Sequence, residues 1–550
     1  MSTKIKYQFW QSRNATFILW LFRSGERIAI VVVVFLHLLL VFPLAAILNI
    51  WIDEAFTLES TREGLIHAVW RALDYEFQPP LYFIIMTLWR SLNDSIFFAR
   101  IFSIICTTST LILAGALARR YLPGIRPWLV AAVVAFNPLT VYAAVDIRFY
   151  APALFLSGML LLLYYDGYIA KKPSPAARLW YTITAIAALY THYFLGFLLA
   201  AGGVALIILR DTANLRKYLV NMMITAIFFA PLAVVTLHQM QNIKDMHVLP
   251  TQTFQAGCKI IWQAAWKHVL PPIGWDNTLD LEIIRGWISR LAVPLILIIA
   301  FARRQRPPMI LFILLIFAVV VGLFFFGVAV RLGPDFMRMR HTTELYLPVL
   351  LAMLALIRYA GGVRLATFGA FVSLVFSALC LVETYAPLAK HGDWVRVSRY
   401  IEQHEQRSEP ILMFVAEFVL DFGYHYTGCN QLLAIPRIPR DWRFDYESQV
   451  LDDESEILMV LKAHIGPTGR FWLITSGGKP NKGINYHPEI LEGFITRRCN
   501  VLSDESFYGS RVRLLELRPR VNSSEHEPSH IAIAGIRKYR TDSSGFVGDQ

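Results

Sequence analysis

Two adjacent carboxylates, Asp53 and Glu54, stand in the stretch "FPLAAILNIWIDEAFTLES" (residues 42–60), directly after a long apolar run. Like charges side by side repel, and a low dielectric nearby sharpens the repulsion. Acids at a membrane edge are costly and tend to be functional. A carboxylate held there can orient a hydroxyl and take its proton. Neighbours on a helix diverge by about 100°, so the two acids need not act on one atom. A third acid, Asp146, lies in "AVDIRFYAP", two residues before Arg148. The stretch "VRLGPDFMRMRHTTELYLP" holds Arg331, Arg338 and Arg340, with His341 following. Guanidinium forks match phosphate oxygens two at a time, so this loop is suited to a phosphate. His192 in "YTHYF" and Arg100 in "FFARIF" are weaker candidates, and Tyr82 and Tyr150 could pack a lipid or a sugar.

Each has a plainer reading. The acid pair could sit harmlessly among lipid headgroups. Asp146 and Arg148 could form a surface pair of little energetic worth. Arg340 could pair with Glu344 along a helix or reach to anionic headgroups. His192 could be a satisfied interfacial histidine, and the tyrosines could belong to an aromatic belt.

The elements that position these residues follow from composition. The chain has 550 residues, 56% of them hydrophobic, and a net charge of +12, with a mean hydropathy of +0.47. That is an integral membrane protein. No basic tract interleaved with aromatics appears, which sets nucleic acid aside. The 5 cysteines, at 106, 258, 380, 429 and 499, contain no CxxC, which disfavours metal clusters and disulfide scaffolds. Basic residues Lys4, Lys6, Arg13, Arg23 and Arg27 precede the first apolar run, which is long enough to span and reads as a retained helix.

Apolar lengths predict about eleven transmembrane helices, at roughly 28–50, 97–118, 126–144, 149–168, 178–191, 193–210, 217–238, 286–302, 309–330, 343–359 and 365–386. The segments after every second span carry Arg119, Arg120, Arg126, Lys171, Lys172, Arg178, Arg210, Arg216, Lys217, Arg303, Arg304, Arg306, Arg358 and Arg364 against the single acid Asp211. The positive-inside rule makes that side, and the N-terminus, cytosolic. Residues 51–96, the Asp146–Arg148 turn, the turn at 191–193 and the loops 239–285 and 331–341 then lie outside. Residues 51–96 hold seven acids against three arginines, and "TREGLIHAVWRAL" has the spacing of a surface-lying helix. Pro79 and Pro80 stop that helix, and Pro80 suits the first turn of the next, over 81–89. From about 387 charge returns and apolar runs shorten. "ILMFVAEFVL", "GRFWLITSGG" and "SRVRLLELRP" read as short buried strands, or a strand and a helix, of a small α/β domain outside the membrane. The expected division is a transmembrane domain over 1–386, an extracytoplasmic α/β domain over 387–520, and a polar tail over 521–550 that reads as mobile. No internal repeat suggests a transporter of inverted halves.

"WIDEAFTL", followed by "QPPLYF" and then by "ARIFSIICTTSTLILAGALARRYL", resembles the polytopic GT-C glycosyltransferases, in particular the protein-mannosyltransferase and aminoarabinose-transferase-like group (family 39-like). "NPLTVYAAVDIRFYAPALFL" and "ALYTHYFLGFLLAAGG" resemble the group's third to sixth spans. "HGDWVRVSRYIEQ" resembles the opening of its outer domain, and the similarity covers about residues 25–430. Two positions depart from it: Gln78 stands before the Pro-Pro pair where Lys, His or Asn is common, and Arg340–His341 stands where Arg-Tyr is common. The resemblance implies the GT-C architecture and transfer of a sugar from a polyprenyl-phosphate donor to an acceptor hydroxyl of a lipid, glycan or protein, in a bacterial plasma (inner) membrane. It implies Asp53 as base, Glu54 orienting it, binding sugar or stabilising the loop, and Asp146 as a second acid facing the first. It implies Arg340 as the donor-phosphate ligand, with His341 and Arg338 beside it. Gln78, Tyr82, Arg148, Tyr150 and His192 complete the expected substrate-binding set. No cofactor is required on this reading, although the acids and a phosphate could hold a divalent cation through oxygens. The competing readings are a polyprenyl-lipid or glycolipid transporter or flippase, and a structural scaffold or sensor whose outer domain does the work.

Overall fold

In the computed structural model, residues 25–246, 253–272, 280–302, 306–332, 339–438, 447–476 and 484–518 are described. Arg338 and the tail 521–550 lie outside them. Every segment expected to span is helical. Six helices are long and apolar enough to cross a membrane: Gly25–Ile47, Ile96–Tyr121, Tyr150–Ile169, Thr212–Gln239, Met309–Arg331 and Met339–Tyr385. Leu219, Met223, Ile227 and Phe228 on one of them are exposed, as lipid-facing residues would be. The expected eleven requires, in addition, the shorter helices Pro175–Thr191 and Gly196–Ile208, the helix Asp280–Ala302, a bent pair counted as one span, and a division of the last long helix.

That division has a physical cause. The helix Thr343–Tyr385 runs for 43 residues, with Gly362 at φ 80° inside it. At 1.5 Å per residue this is roughly 65 Å, about twice a bilayer core. Only glycine adopts such a backbone cheaply, so the sequence breaks the rod there.

The span expected over 126–144 is not a straight helix but a bent pair. Pro127–Ala135 and Pro138–Ala144 meet at 64°. Pro138 has no N–H to continue the first helix, and Asn137 caps the second, its Oδ1 accepting from the Leu139 N–H at 3.0 Å. The second helix ends at Ala144, and the chain turns through Asp146–Arg148 before the helix that begins at Tyr150. The proline break therefore aims that turn.

Residues 51–96 form a platform of short helices: Ile52–Ser60, Leu65–Trp70 and Leu81–Arg90. Pro80 directly precedes the last rather than occupying its first turn. Ala68 and Ala72 face inward while Ile66 and Trp70 are exposed, the amphipathic character expected of a surface-lying helix.

Beyond residue 390 a five-stranded sheet forms, in the order β2-β1-β3-β5-β4. Its strands are β1 (Ile411–Phe414), β2 (Leu432–Ala434), β3 (Arg470–Ser476), β4 (Cys499–Phe507) and β5 (Ser510–Leu517). β1 pairs in parallel with β2 and β3, while β5 runs antiparallel to β3 and β4. Helices Trp394–His404, Glu454–His464 and Pro488–Arg498 complete the α/β unit. Apolar residues are buried on both faces of the sheet, Leu412 and Leu473 on one, Met413 and Ile474 on the other.

Candidate active site

The helix Ile52–Ser60 begins immediately after Trp51, and its first turn sends Asp53 and Glu54 in different directions. Glu54 turns inward and is completely buried. Its oxygens accept from the Trp51 N–H at 3.2 Å and the Ile147 N–H at 3.1 Å. They also accept from Arg100 at 3.1 Å and from the Lys390 ammonium at 2.9 Å. Arg100 in turn donates to the carbonyls of Ala45, Leu48 and Asn49, closing the orphan end of the first long helix. Burial favours the neutral acid, but Arg100 and Lys390 outweigh it and hold Glu54 below the usual carboxylate range.

Asp146 joins the same cluster, also completely buried. Its Oδ1 accepts from Lys390 Nζ at 3.1 Å and from the indole N–H of Trp51 at 2.9 Å. Its Oδ2 is buried without a hydrogen-bond partner. Burial pushes its acid up, against the pull of Lys390, and the charge of Glu54 adds to the rise. The environments thus shift two neighbouring carboxyls in opposite directions. The local Asp146–Arg148 pair does not form. Arg148 donates instead to Glu76 at 3.0 Å, to the Thr57 hydroxyl at 2.8 Å and to the Asp53 carbonyl at 3.2 Å, which fastens the short helix to its platform.

Asp53 turns outward, with 21% of its side chain exposed against 12% for Arg340, whose Nη2 lies 3.7 Å from Asp53 Oδ2. The Arg340 guanidinium sits 4.3 Å above the Trp51 ring, and its Nε–H donates to His341 Nε2 at 3.2 Å. Tyr150 is buried, its ring 6.1 Å from that of His341. Asp53, Arg340, His341 and Tyr150 therefore gather by the face of the Trp51 ring, and Asp146 and Glu54 meet its indole N–H and its backbone N–H.

The remaining expected residues stand back from this surface. Tyr82 is buried among Phe83, Phe102 and Phe149. Gln78 is half-buried on the platform, its N–H bonded to the Ala72 carbonyl. His192 stacks on Phe149 with ring centroids 4.6 Å apart, and its Nδ1 lies 2.6 Å from Glu344 Oε1. Glu344 thus pairs with His192, not with Arg340. Sequence reasoning missed Trp51, Glu76 and Lys390. The signal that singled out Arg340, a cation beside a span on the acidic side, applies equally to Lys390. Among the described residues no group of three or more His, Cys, Asp or Glu is arranged to hold a metal ion.

No family profile matches the chain, and no curated protein does. Solved structures do. The chain is similar to ArnT from Cupriavidus metallidurans bound to undecaprenyl phosphate, with a TM-score of 0.51, 12% identity, and coverage of 88% of this chain and 97% of that one. It is also similar to apo ArnT from the same organism (TM-score 0.47, 13% identity, 89% and 98% covered). A third is the Archaeoglobus fulgidus oligosaccharyltransferase tethered to an acceptor peptide (TM-score 0.44, 12% identity, 83% and 70% covered). Over most of its length the chain shares the fold of the ArnT structure.

Proposed function

We propose that this protein is a membrane glycosyltransferase that moves a sugar from a polyprenyl-phosphate donor to an acceptor hydroxyl at the outer face of the membrane. The observation that carries the reading is the open pair of Asp53 and Arg340, 3.7 Å apart, over a fully buried acid cluster. The fold shared with the ArnT structure supports it, and that structure holds undecaprenyl phosphate. In this reading Asp53 takes the proton of the acceptor hydroxyl as its oxygen bonds to C1 of the sugar. The bond from C1 to the phosphate oxygen breaks on the opposite side, and the phosphate departs with the electron pair. Arg340, with His341 beside it, stabilises the charge that develops there. Glu54 and Asp146 act from beneath, holding Trp51 and the Asp53 helix.

The topology belongs to the proposal: eleven spans, the basic loops cytosolic, and the α/β unit from about 387 to 520 outside. A flippase would place charged groups along its route through the spans. Here the buried acids Glu54, Glu76, Asp146 and Glu344 gather around the same end of the helices. Mass spectrometry of surface glycans, lipids and proteins from cells with and without the gene tests the reading. A mass difference of one sugar on a defined acceptor is expected. Identical profiles, with altered lipid-linked sugar distribution across the membrane, would favour the flippase.

A further inference from the structure

Lys390 lies just beyond the last long helix, on the lead-in to the α/β unit. It is 5% exposed, a rare setting for an ammonium. Its three donors are all used, on Glu54 Oε2 at 2.9 Å, the Val145 carbonyl at 2.9 Å and Asp146 Oδ1 at 3.1 Å. Its backbone is fixed as well: its N–H donates to Asn49 Oδ1 at 3.0 Å, and its carbonyl accepts from Asn49 Nδ2 at 2.8 Å. The ring of His391, the next residue, lies tilted against Trp51 with centroids 4.8 Å apart. Formal charges balance in the buried cluster, with Glu54 and Asp146 against Arg100 and Lys390. Without Lys390, Glu54 keeps Arg100 but Asp146 loses its ammonium partner.

We infer that Lys390 is a positioning residue, through which the lead-in of the α/β unit sets the donor-phosphate site. The contacts form one chain. Lys390 holds Asp146, Asp146 accepts from the Trp51 indole, and the Trp51 ring carries the Arg340 guanidinium, which faces Asp53. Loss of the ammonium leaves a buried carboxylate uncompensated, and the cluster then relieves it by protonation or by admitting water. Either change disturbs the Asp146–Trp51 bond, and with it the seat of Arg340. The α/β unit is on this view part of the active site, not a separable appendage. The phosphate readout rests on the proposed function, whereas the readout of helix order does not.

The test uses the purified full-length chain as wild type, Lys390→Met, Lys390→Arg and the double variant Lys390→Met/Asp146→Asn. Two quantities are measured: amide hydrogen exchange over residues 49–60, and affinity for undecaprenyl phosphate. In Lys390→Met, exchange over 49–60 should rise and affinity should fall by at least about tenfold, the scale of one well-placed charge contact. The double variant removes both charges, so it should recover most of the lost protection and part of the affinity. Lys390→Arg keeps the charge and should fall between. If Lys390→Met does not fold but the double variant does, the charge pairing stands. The inference is overturned if Lys390→Met matches wild type in both readouts, or if the double variant is no better than the single. If wild type does not bind undecaprenyl phosphate at all, the proposed function fails, while the exchange data still decide the role of Lys390.

Discussion

Asp53 and Glu54 are neighbours with opposite fates, and the difference yields contrasting variants. Asp53 has an open face and a loose ion pair, so Asp53→Asn should fold normally. Transfer should fall by at least ~10²-fold, the usual cost of a missing acid–base group. Glu54 is locked by Arg100 and Lys390, so Glu54→Gln should lower stability by ~3–5 kcal/mol, the scale for stranding a buried partner. Thermal unfolding in detergent and a transfer assay, run side by side, separate the two. Near-normal turnover in Asp53→Asn would move the base elsewhere. Arg340 gives the second contrast. Arg340→Ala should raise the barrier by ~2–4 kcal/mol, as for loss of one oxyanion donor. Arg340→Lys should also be poor, because a point charge cannot copy the planar fork or its seat on Trp51. Undecaprenyl phosphate affinity and turnover measured for both variants check this, and two near-normal variants would remove phosphate from this loop. The acids were legible because each stands where an apolar run ends. Lys390 carries the same signal as Arg340 and was passed over, and only the fold joins it to carboxylate partners that lie 336 and 244 residues away in the chain.

At the scale of elements, the Asp53 helix is clamped at its outer rim by the α/β unit. The Ile50 N–H donates to His425 Nε2 at 3.1 Å, and the Tyr424 hydroxyl donates to Glu59 at 2.6 Å. The first bond needs a neutral imidazole. Burial, aided by the charge of Arg100, lowers the His425 pKa from 6.5 to about 4. The sign follows from proton binding: between these values the unfolded or undocked chain binds the proton and the clamped state does not. The contribution of His425 is therefore whole above pH 6.5 and is lost as pH falls through about 4. Hydrogen exchange over residues 49–60, corrected for the intrinsic rate at each pH, should quicken in that window. In His425→Gln the quickening should shrink, and an unchanged pH profile in that variant would assign it to another group. The elements themselves were unevenly legible. Helices announced themselves by apolar length, and β1, β3 and β5 by buried runs. β4 did not, because "CNVLSDESF" buries only Cys499 and reads as a polar loop. The kink at Pro138 went unread because the apolar run continues across it, and length alone cannot tell one span from two short helices.

For the whole molecule, the decisive quantity is which side of the membrane the α/β unit occupies. The argument for the outside is electrostatic: cations crowd alternate loops, and translocation leaves such loops behind. The site gives that choice a chemical consequence, because Lys390 and His425 reach the Asp53 helix from the α/β unit. The proposed base, the proposed phosphate ligand and the α/β unit then share one side. The chain carries its own reporter. Cys429 is free and exposed, whereas Cys499 is free and buried. Cys258 is also exposed, so it is replaced first by serine. A membrane-impermeant maleimide added to intact cells, or to spheroplasts where an outer membrane intervenes, should then modify Cys429. Cys429→Ser should abolish the signal. Labelling only after the membrane is opened would put the α/β unit in the cytosol. The site would then face the other way, and the positive-inside assignment of every loop would invert with it.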